Sequence, residues 1–232
     1  MELNARRQAE VPPGDVVAVL VSGGLDSAAL VASLVVEGPV VPIYVSCGLA
    51  WEEAERAAVA ELSAVLATSS LRPLIEFAMP LEDLYGDHWS VCGQGVPGAT
   101  TPDEAVGLLG RNAVLAIKPL LWCAREGVGS LAIASLAGNP FEDASPAFFR
   151  HFADVMSTAA GSRVRLVAPV RERTKADLIR GTAARVLAAS MSCLAPVNTA
   201  SGWWHCGACN KCSERQRGFC DAGVADPTRY LA

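Results

Sequence analysis

The chain has 232 residues, 51% of them hydrophobic, and a formal net charge of −5. That length and apolar content suit one large buried core with a small appendage and exclude a disordered chain. The acidic balance disfavours a cationic nucleic-acid surface, and apolar runs of about a dozen residues are too short to cross a bilayer, so neither nucleic acid nor membrane is expected as a partner. The opening stretch, Met1 to Glu10, is polar and holds no apolar signal-peptide core, so a cytoplasmic protein is expected. Eight cysteines in such a chain point to metal binding or catalysis before disulfides.

Val16 to Val21 is a continuous apolar, β-branched run of strand length. Ser22-Gly23-Gly24-Leu25-Asp26-Ser27 follows, then an apolar helix-length run from Ala28 to Val36 that stops at Gly38-Pro39. This is a strand, a tight glycine turn and a helix N-terminus. Two glycines let the backbone approach a ligand where a Cβ would clash. The first-turn amides lack intrahelical partners, the helix dipole favours an anion there, and Ser22 and Ser27 add hydroxyls. The turn suits a phosphate or pyrophosphate. No Gly-Lys-Ser/Thr follows, so it is not a Walker A loop, and the third glycine of a dinucleotide fingerprint is missing. A corner using glycine for shape alone needs neither the serines nor the acid. The pattern S-G-G-x-D-S resembles the PP-loop of the ATP pyrophosphatase superfamily, whose members split ATP between its α and β phosphates and adenylate an acyl or carbonyl oxygen. The candidate nucleotide-binding stretch is therefore Val21-Ser22-Gly23-Gly24-Leu25-Asp26-Ser27-Ala28-Ala29-Leu30.

Val40 to Val45 reads as a second strand, with Pro42 marking its start or a bulge. Trp51 to Leu66 is helical, with Trp51, Ala54, Ala58, Leu62 and Val65 on one face and acids on the other. Pro73 to Ala78 is a third strand. A long glycine- and proline-rich loop runs from Pro80 to Gly110, a length that is usually functional or mobile. Arg111 to Glu126 is a helix ended by Gly127, and Ser130 to Ser135 a fourth strand. Gly138-Asn139-Pro140 leads to a helix from Pro146 to Ala159, and Val164 to Val170 is a fifth strand. Thr174 caps a further helix, with Asp177 at the capping-box position. The alternation predicts an α/β fold with a mostly parallel, doubly wound sheet and ligands outside the carboxyl ends of its strands. Residues 1–186 form this domain and residues 187–232 a small C-terminal segment packed on it.

That segment carries Cys193 and then Cys206-Gly207-Ala208-Cys209-Asn210-Lys211-Cys212. Four thiolates, three of them spaced C-x2-C-x2-C, match a structural zinc site, with Gly207 relieving the turn between two ligands and Lys211 moderating the thiolate charge. An iron–sulfur cluster uses similar spacing, so sequence leaves the metal open. A redox dithiol lacks the strand context it requires. Cys123 reads as a small core residue and Cys220 as packing for the last helix. Cys47 and Cys92 fall in loops, where an inert thiol is the plainer reading than a reactive one.

The turn and the cysteine cluster, at opposite ends of the chain, together resemble the 7-cyano-7-deazaguanine synthase family of the queuosine pathway. The tail carries most of the likeness: Cys206 to Cys212, Gly218-Phe219 and Ala222-Gly223-Val224-Ala225-Asp226-Pro227-Thr228 look like the family's C-G-x-C-x-x-C, G-F and A-G-x-x-D-P-T series. Gly110-Arg111-Asn112 and Thr174-Lys175 look like its G-R-N and T-K. The resemblance implies conversion of a deazapurine acid, 7-carboxy-7-deazaguanine, with ammonia and ATP to the nitrile, through an acyl-adenylate and an amide. It implies ATP, Mg²⁺ and Zn²⁺ as cofactors, Asp26 positioning Mg²⁺, Arg111 and Lys175 as the cationic side of the site, Cys193, Cys206, Cys209 and Cys212 as metal ligands, and a homodimer. Two stretches depart from the pattern. Where the family has an aromatic-Gly-Gln-Arg-His run, this chain has Cys47-Gly48-Leu49-Ala50-Trp51. Where the family has Asp-Tyr-Ser-Gly-Tyr-Pro-Asp-Cys-Arg-Pro, it has Gly138 to Pro146; these departing stretches are where the family would read the deazapurine. A divergent paralogue that adenylates another substrate, for amide ligation, protein conjugation or base thiolation with Cys47 or Cys92 as carrier, is the alternative. An ATP-binding regulator without catalysis fits the intact turn least.

Overall fold

The computed structural model describes residues 14–231, so the opening stretch from Met1 to Glu10 lies outside the described residues. Val17–Leu20 (β1), Val40–Ser46 (β2), Ile75–Ala78 (β3), Ser130–Ala132 (β4) and Arg165–Val167 (β5) form one sheet in the order β3-β2-β1-β4-β5, all neighbours parallel. Successive strand residues point to opposite faces. Val17, Val19 and Val21 therefore pack against Leu25–Leu34 (α1), while Ala18 and Leu20 join the core under Arg111–Glu126 (α5) and Pro146–Ala160 (α6). The doubly wound α/β architecture expected from the alternation is the one observed.

β1 connects outward to β2 and β3, and the chain then crosses back to place β4 on the other side of β1. The strand order reverses between β1 and β4, so a crevice opens at their carboxyl ends. β4 and β5 stop earlier than their apolar runs. Beyond β4 the chain turns along this crevice, where Ile133 and Ala134 line the wall.

Pro42 lies inside β2, opposite Val19, rather than at a strand start or bulge. Val40 gives both its amide and its carbonyl to the segment ahead of β3, bonding Ser70 and Arg72. By the alternation of a parallel ladder, the nitrogen of Pro42 faces that same edge-strand side, where a missing donor disrupts least.

The stretch from Pro80 to Gly110 is not a plain loop. It holds two single-turn helices, Glu82–Tyr85 (α3) and Trp89–Cys92 (α4), and a 3-10 turn over Asp103–Val106. Leu81, Val106 and Leu108 are buried, and Trp89 stacks on Trp51 with ring centroids 5.7 Å apart. Trp51 itself precedes the helix Glu52–Val65 (α2).

Lys175–Arg180 (α7) opens on the full capping box between Thr174 and Asp177, and Ala184–Ala188 (α8) follows. The rest of the chain folds as an antiparallel hairpin, Val197–Thr199 (β6) with Gly202–Trp204 (β7), and a helix, Asn210–Ala222 (α9). Trp203 and Trp204 are half-buried, and Trp203 packs on the core. Arg215 of α9 is 2% exposed and bolts this region together, donating to Leu187 O, Ser190 Oγ and Thr228 Oγ1 at 2.8, 2.9 and 2.6 Å. Among the described residues, no helix is long and apolar enough to cross a membrane.

Candidate active site

After β1 the chain turns through Gly23, whose φ of +71° a side chain rarely adopts. A Cβ there would stand 2.7 Å from the carbonyl oxygen of Glu55 in α2. Gly23→Ala is therefore expected to cost at least about 2 kcal/mol, from the backbone region and the clash together. Equilibrium denaturation checks this. Gly24 then caps α1 with no side-chain partner. Three amides of the turn meet hydroxyls: Ser22 N donates to Ser27 Oγ (3.2 Å), Gly24 N to Ser22 Oγ (3.3 Å) and Leu25 N to Ser192 Oγ (3.2 Å). Hydroxyls rotate, so these amides sit in a bend that a phosphate oxygen can enter.

The bend floors a pocket at the carboxyl ends of β1, β2 and β4. On one wall the Lys175 ammonium donates to both Asp26 oxygens, at 2.8 and 2.7 Å, and pairs with Glu214 at 2.8 Å. Burial alone would lower the lysine's pKa, but the two carboxylates override it and hold the ammonium above the ordinary lysine range. Lys211 pairs with Glu214 at 2.6 Å. Against the upward push of burial, the two lysines hold Glu214 down to about 2.

On the opposite wall stand Arg111, Asn112 and Glu55. The Arg111 Nε is buried without a hydrogen-bond partner. Asn112 is anchored by Asp143, whose Oδ2 accepts from its amide at 2.9 Å and whose Oδ1 accepts from its side chain at 3.1 Å. Glu55 is 9% exposed; Tyr44 Oη and Trp51 Nε1 each donate to one of its oxygens at 3.0 Å. Burial lifts its pKa above the ordinary 4.5 to about 7, against Arg111 and the two hydrogen bonds, which pull it down. A raised folded pKa means that the folded chain holds the proton longer. The stability this contributes is fully present below the ordinary value and lost as pH rises through about 7. The shift corresponds to about 3 kcal/mol. Glu55→Gln should remove that pH-dependent component, so denaturation at pH values spanning this window should show the variant gaining on the parent as pH rises.

Beside the pocket, the Sγ atoms of Cys193, Cys206, Cys209 and Cys212 all lie within 4.8 Å of one another. Cys193–Cys209 and Cys206–Cys212 are each 3.9 Å apart. A tetrahedral ion with bonds of about 2.3 Å to sulfur sets its ligands about 3.8 Å apart, so the spacing fits one four-coordinate ion, whereas a four-iron cubane spreads its cysteines wider. Gly207, at φ +75°, makes the turn between two of the ligands.

The family described as queuosine biosynthesis protein QueC matches residues 16–223, spanning both the glycine bend and the thiolates. The chain belongs to the QueC family. It is similar to 7-cyano-7-deazaguanine synthase of Thiobacillus denitrificans, 31% identical over 91% of this chain and 96% of that one. The Methylococcus capsulatus protein of the same name is 31% identical over 91% of this chain and 97% of that one. 7-Cyano-7-deazaguanine synthase 1 of Sphingopyxis alaskensis is 41% identical, over 43% of this chain and 46% of that one.

In this QueC-family chain, Val21, Ser22, Gly24, Leu25, Asp26, Ser27, Arg111, Lys175 and Cys193 all line the pocket. Ala28, Ala29 and Leu30 do not; they are buried in the core between α1 and the sheet. Glu55 departs from the expectation that the acids of α2 face solvent. Cys220 is exposed rather than packed, because its position on α9 faces outward. Lys211 spends its ammonium on Glu214 and not on a thiolate. Cys47 is 1% exposed, and burial raises its pKa to about 11, so it is an inert thiol at neutral pH; Cys92 is exposed at the end of α4. Cys123 is a core residue, as expected. Sequence reasoning missed Glu55, Ser192, Glu214 and Arg215, all pocket-lining. The i, i+4 spacing of Trp51 and Glu55 was the one readable signal for the first of them.

Proposed function

We propose that the protein is an ATP-dependent carbon–nitrogen ligase that converts 7-carboxy-7-deazaguanine and ammonia to 7-cyano-7-deazaguanine. The observation that carries this reading is the amide-lined bend at the sheet's switch point, walled by Lys175 and by Arg111, whose Nε is buried without a partner. A carboxylate oxygen of the acid attacks the α phosphorus of ATP and pyrophosphate leaves. Ammonia attacks the resulting acyl carbon, loses a proton and expels AMP, leaving an amide. The amide oxygen attacks the α phosphorus of a second ATP, taking its AMP and releasing a second pyrophosphate. Loss of that AMP and the remaining N–H protons gives the nitrile.

The bend and the N-terminus of α1 hold the departing phosphates, whose charge Lys175 and Arg111 offset. Two carboxylates, Asp26 and Glu214, converge on the Lys175 ammonium, which marks a cation position beside the bend. Mg²⁺ carried in with the nucleotide would be held by Asp26 and would supply charge neutralisation at the phosphates. Zn²⁺ suits the thiolate spacing and would fix the C-terminal segment without taking part in the chemistry.

Incubation with ATP, Mg²⁺, ammonia and a panel of deazapurine acids, read by product mass and AMP release, tests the proposal. AMP release should require both the acid and ammonia, with the nitrile mass appearing. No stimulation by the acid would remove this substrate.

A further inference from the structure

We infer that Glu55 reads the guanine-type edge of the base bound in this pocket, a ring N–H beside an exocyclic amino group. Both carboxylate oxygens already accept one hydrogen bond, from Tyr44 Oη and Trp51 Nε1 at 3.0 Å each, and both of those donors are neutral. Among the described residues, no cation lies within 4 Å of the carboxylate. A carboxylate oxygen has capacity for a second donor. Glu55 therefore lines the pocket with acceptor capacity left on each of its oxygens. Tyr44 and Trp51 lock its rotamer, and the stack of Trp51 on Trp89 locks Trp51 in turn. Two parallel in-plane N–H donors are what such a pair accepts best. The 2-amino-4-oxopyrimidine edge of guanine and of deazaguanine supplies them. Adenine, with an acceptor nitrogen beside its amino group, does not.

Of the two stretches that the family resemblance assigns to base reading, the second does not reach this pocket. Residues 138–146 do not line the pocket, and Asp143 is committed to Asn112 at the start of α5. The deazapurine acid and a guanine nucleotide share the edge in question. The inference rests on the proposed function only in taking this pocket as the substrate site.

Calorimetry on the metal-replete protein above about pH 8, where Glu55 is ionised, with two ligand pairs separates the possibilities. One pair is 7-carboxy-7-deazaguanine and its 2-deamino counterpart; the other is GTP and ITP. The parent protein should bind the 2-amino member of one pair about tenfold or more tightly, as expected for loss of a hydrogen bond to a charged group. Glu55→Gln replaces one acceptor by a donor and should bring that ratio to about one. Glu55→Asp keeps the charge but withdraws it, and should give an intermediate ratio, which covers the case of a poorly folded glutamine variant. Discrimination within the acid pair puts Glu55 in the acid subsite; discrimination within the nucleotide pair puts it in the nucleotide subsite. If the acid does not bind but GTP is preferred over ITP, the inference stands and the substrate proposal falls. If the acid binds but neither pair shows a preference for the 2-amino group, or the preference survives Glu55→Gln, the inference is overturned and the substrate proposal stands. If Glu55→Gln instead alters only the ammonia dependence of turnover, the carboxylate serves ammonia and the inference is wrong. Failure of both pairs to bind overturns both.

Discussion

Replacing Lys175 with methionine is expected to slow AMP formation by about a hundredfold or more, the scale of losing one charged donor from a developing oxyanion. Lys175 is the hub of the pocket's charge: it touches both oxygens of Asp26 and one of Glu214. Methionine keeps the length of the stem and removes the charge. It leaves two carboxylates converging where phosphates must enter, with Lys211 the cation still paired to Glu214. The loss should fall on both nucleotide affinity and kcat, because the same ammonium offsets the phosphate charge before and during departure of the leaving group. A purely structural role makes a different forecast. If Lys175 only satisfied Asp26 and Glu214, the methionine variant would lose stability while its folded fraction kept the parent's nucleotide affinity and kcat. Thermal unfolding, binding of an ATP analogue and rates normalised to folded protein decide the matter. A destabilised variant with unchanged affinity and kcat would remove Lys175 from the phosphate site.

What could be read in advance divides along the range of the interactions. The helix Arg111–Glu126 and its stop at Gly127, the capping box of Thr174 with Asp177 and the glycine bend are local. Each is set by residues within a few positions, and the structure places each where the sequence did. The four cysteines were legible because a shared ion would constrain thiol spacing, even with Cys193 well upstream. Glu55 was not legible. Helical periodicity treats any glutamate in an amphipathic helix as a solvent residue, and only Tyr44, from a strand, and Trp51 make its burial tolerable. Ser192 and Arg215 left no pattern either, since a serine and an arginine gain meaning only when α9 folds back on the bend. The short helices α3 and α4 were hidden by glycine and proline. They form because Leu81 and Trp89 are packed against the core, where propensity alone would leave a single turn unfolded.

Removing the metal from the thiolate centre should weaken nucleotide binding as well as stability, although none of the four sulfurs needs to touch the nucleotide. The residues between the two sites are the same residues. Cys193 follows Ser192, whose hydroxyl accepts from Leu25 N in the bend, and Met191 N donates to Gly23 O at 2.8 Å. Ser192 N in turn donates to His205 Nε2 at 3.1 Å, one position before Cys206, and Cys206 N donates to Cys193 Sγ at 3.2 Å. Arg215, three residues after Cys212 on the same helix, closes the circuit onto Ser190 and Ser192 at 2.9 and 3.3 Å. Without an ion, four converging sulfurs lose the bond that offsets their mutual crowding, and the segment 190–193 loses its anchor first. Binding energy at such a site is folding energy for the segment that forms it. A chelator, or Cys209→Ser, is therefore expected to lower the thermal midpoint by about 10 °C or more, a loss of a few kcal/mol in a chain of this size. Affinity for a non-hydrolysable ATP analogue should fall about tenfold or more in parallel, because the bend is then held from one side only. Metal content by mass spectrometry, thermal unfolding and analogue binding, followed on one chelation series, test the coupling. A metal-free protein that unfolds early yet binds the analogue as tightly as before would show that the bend stands without its C-terminal brace.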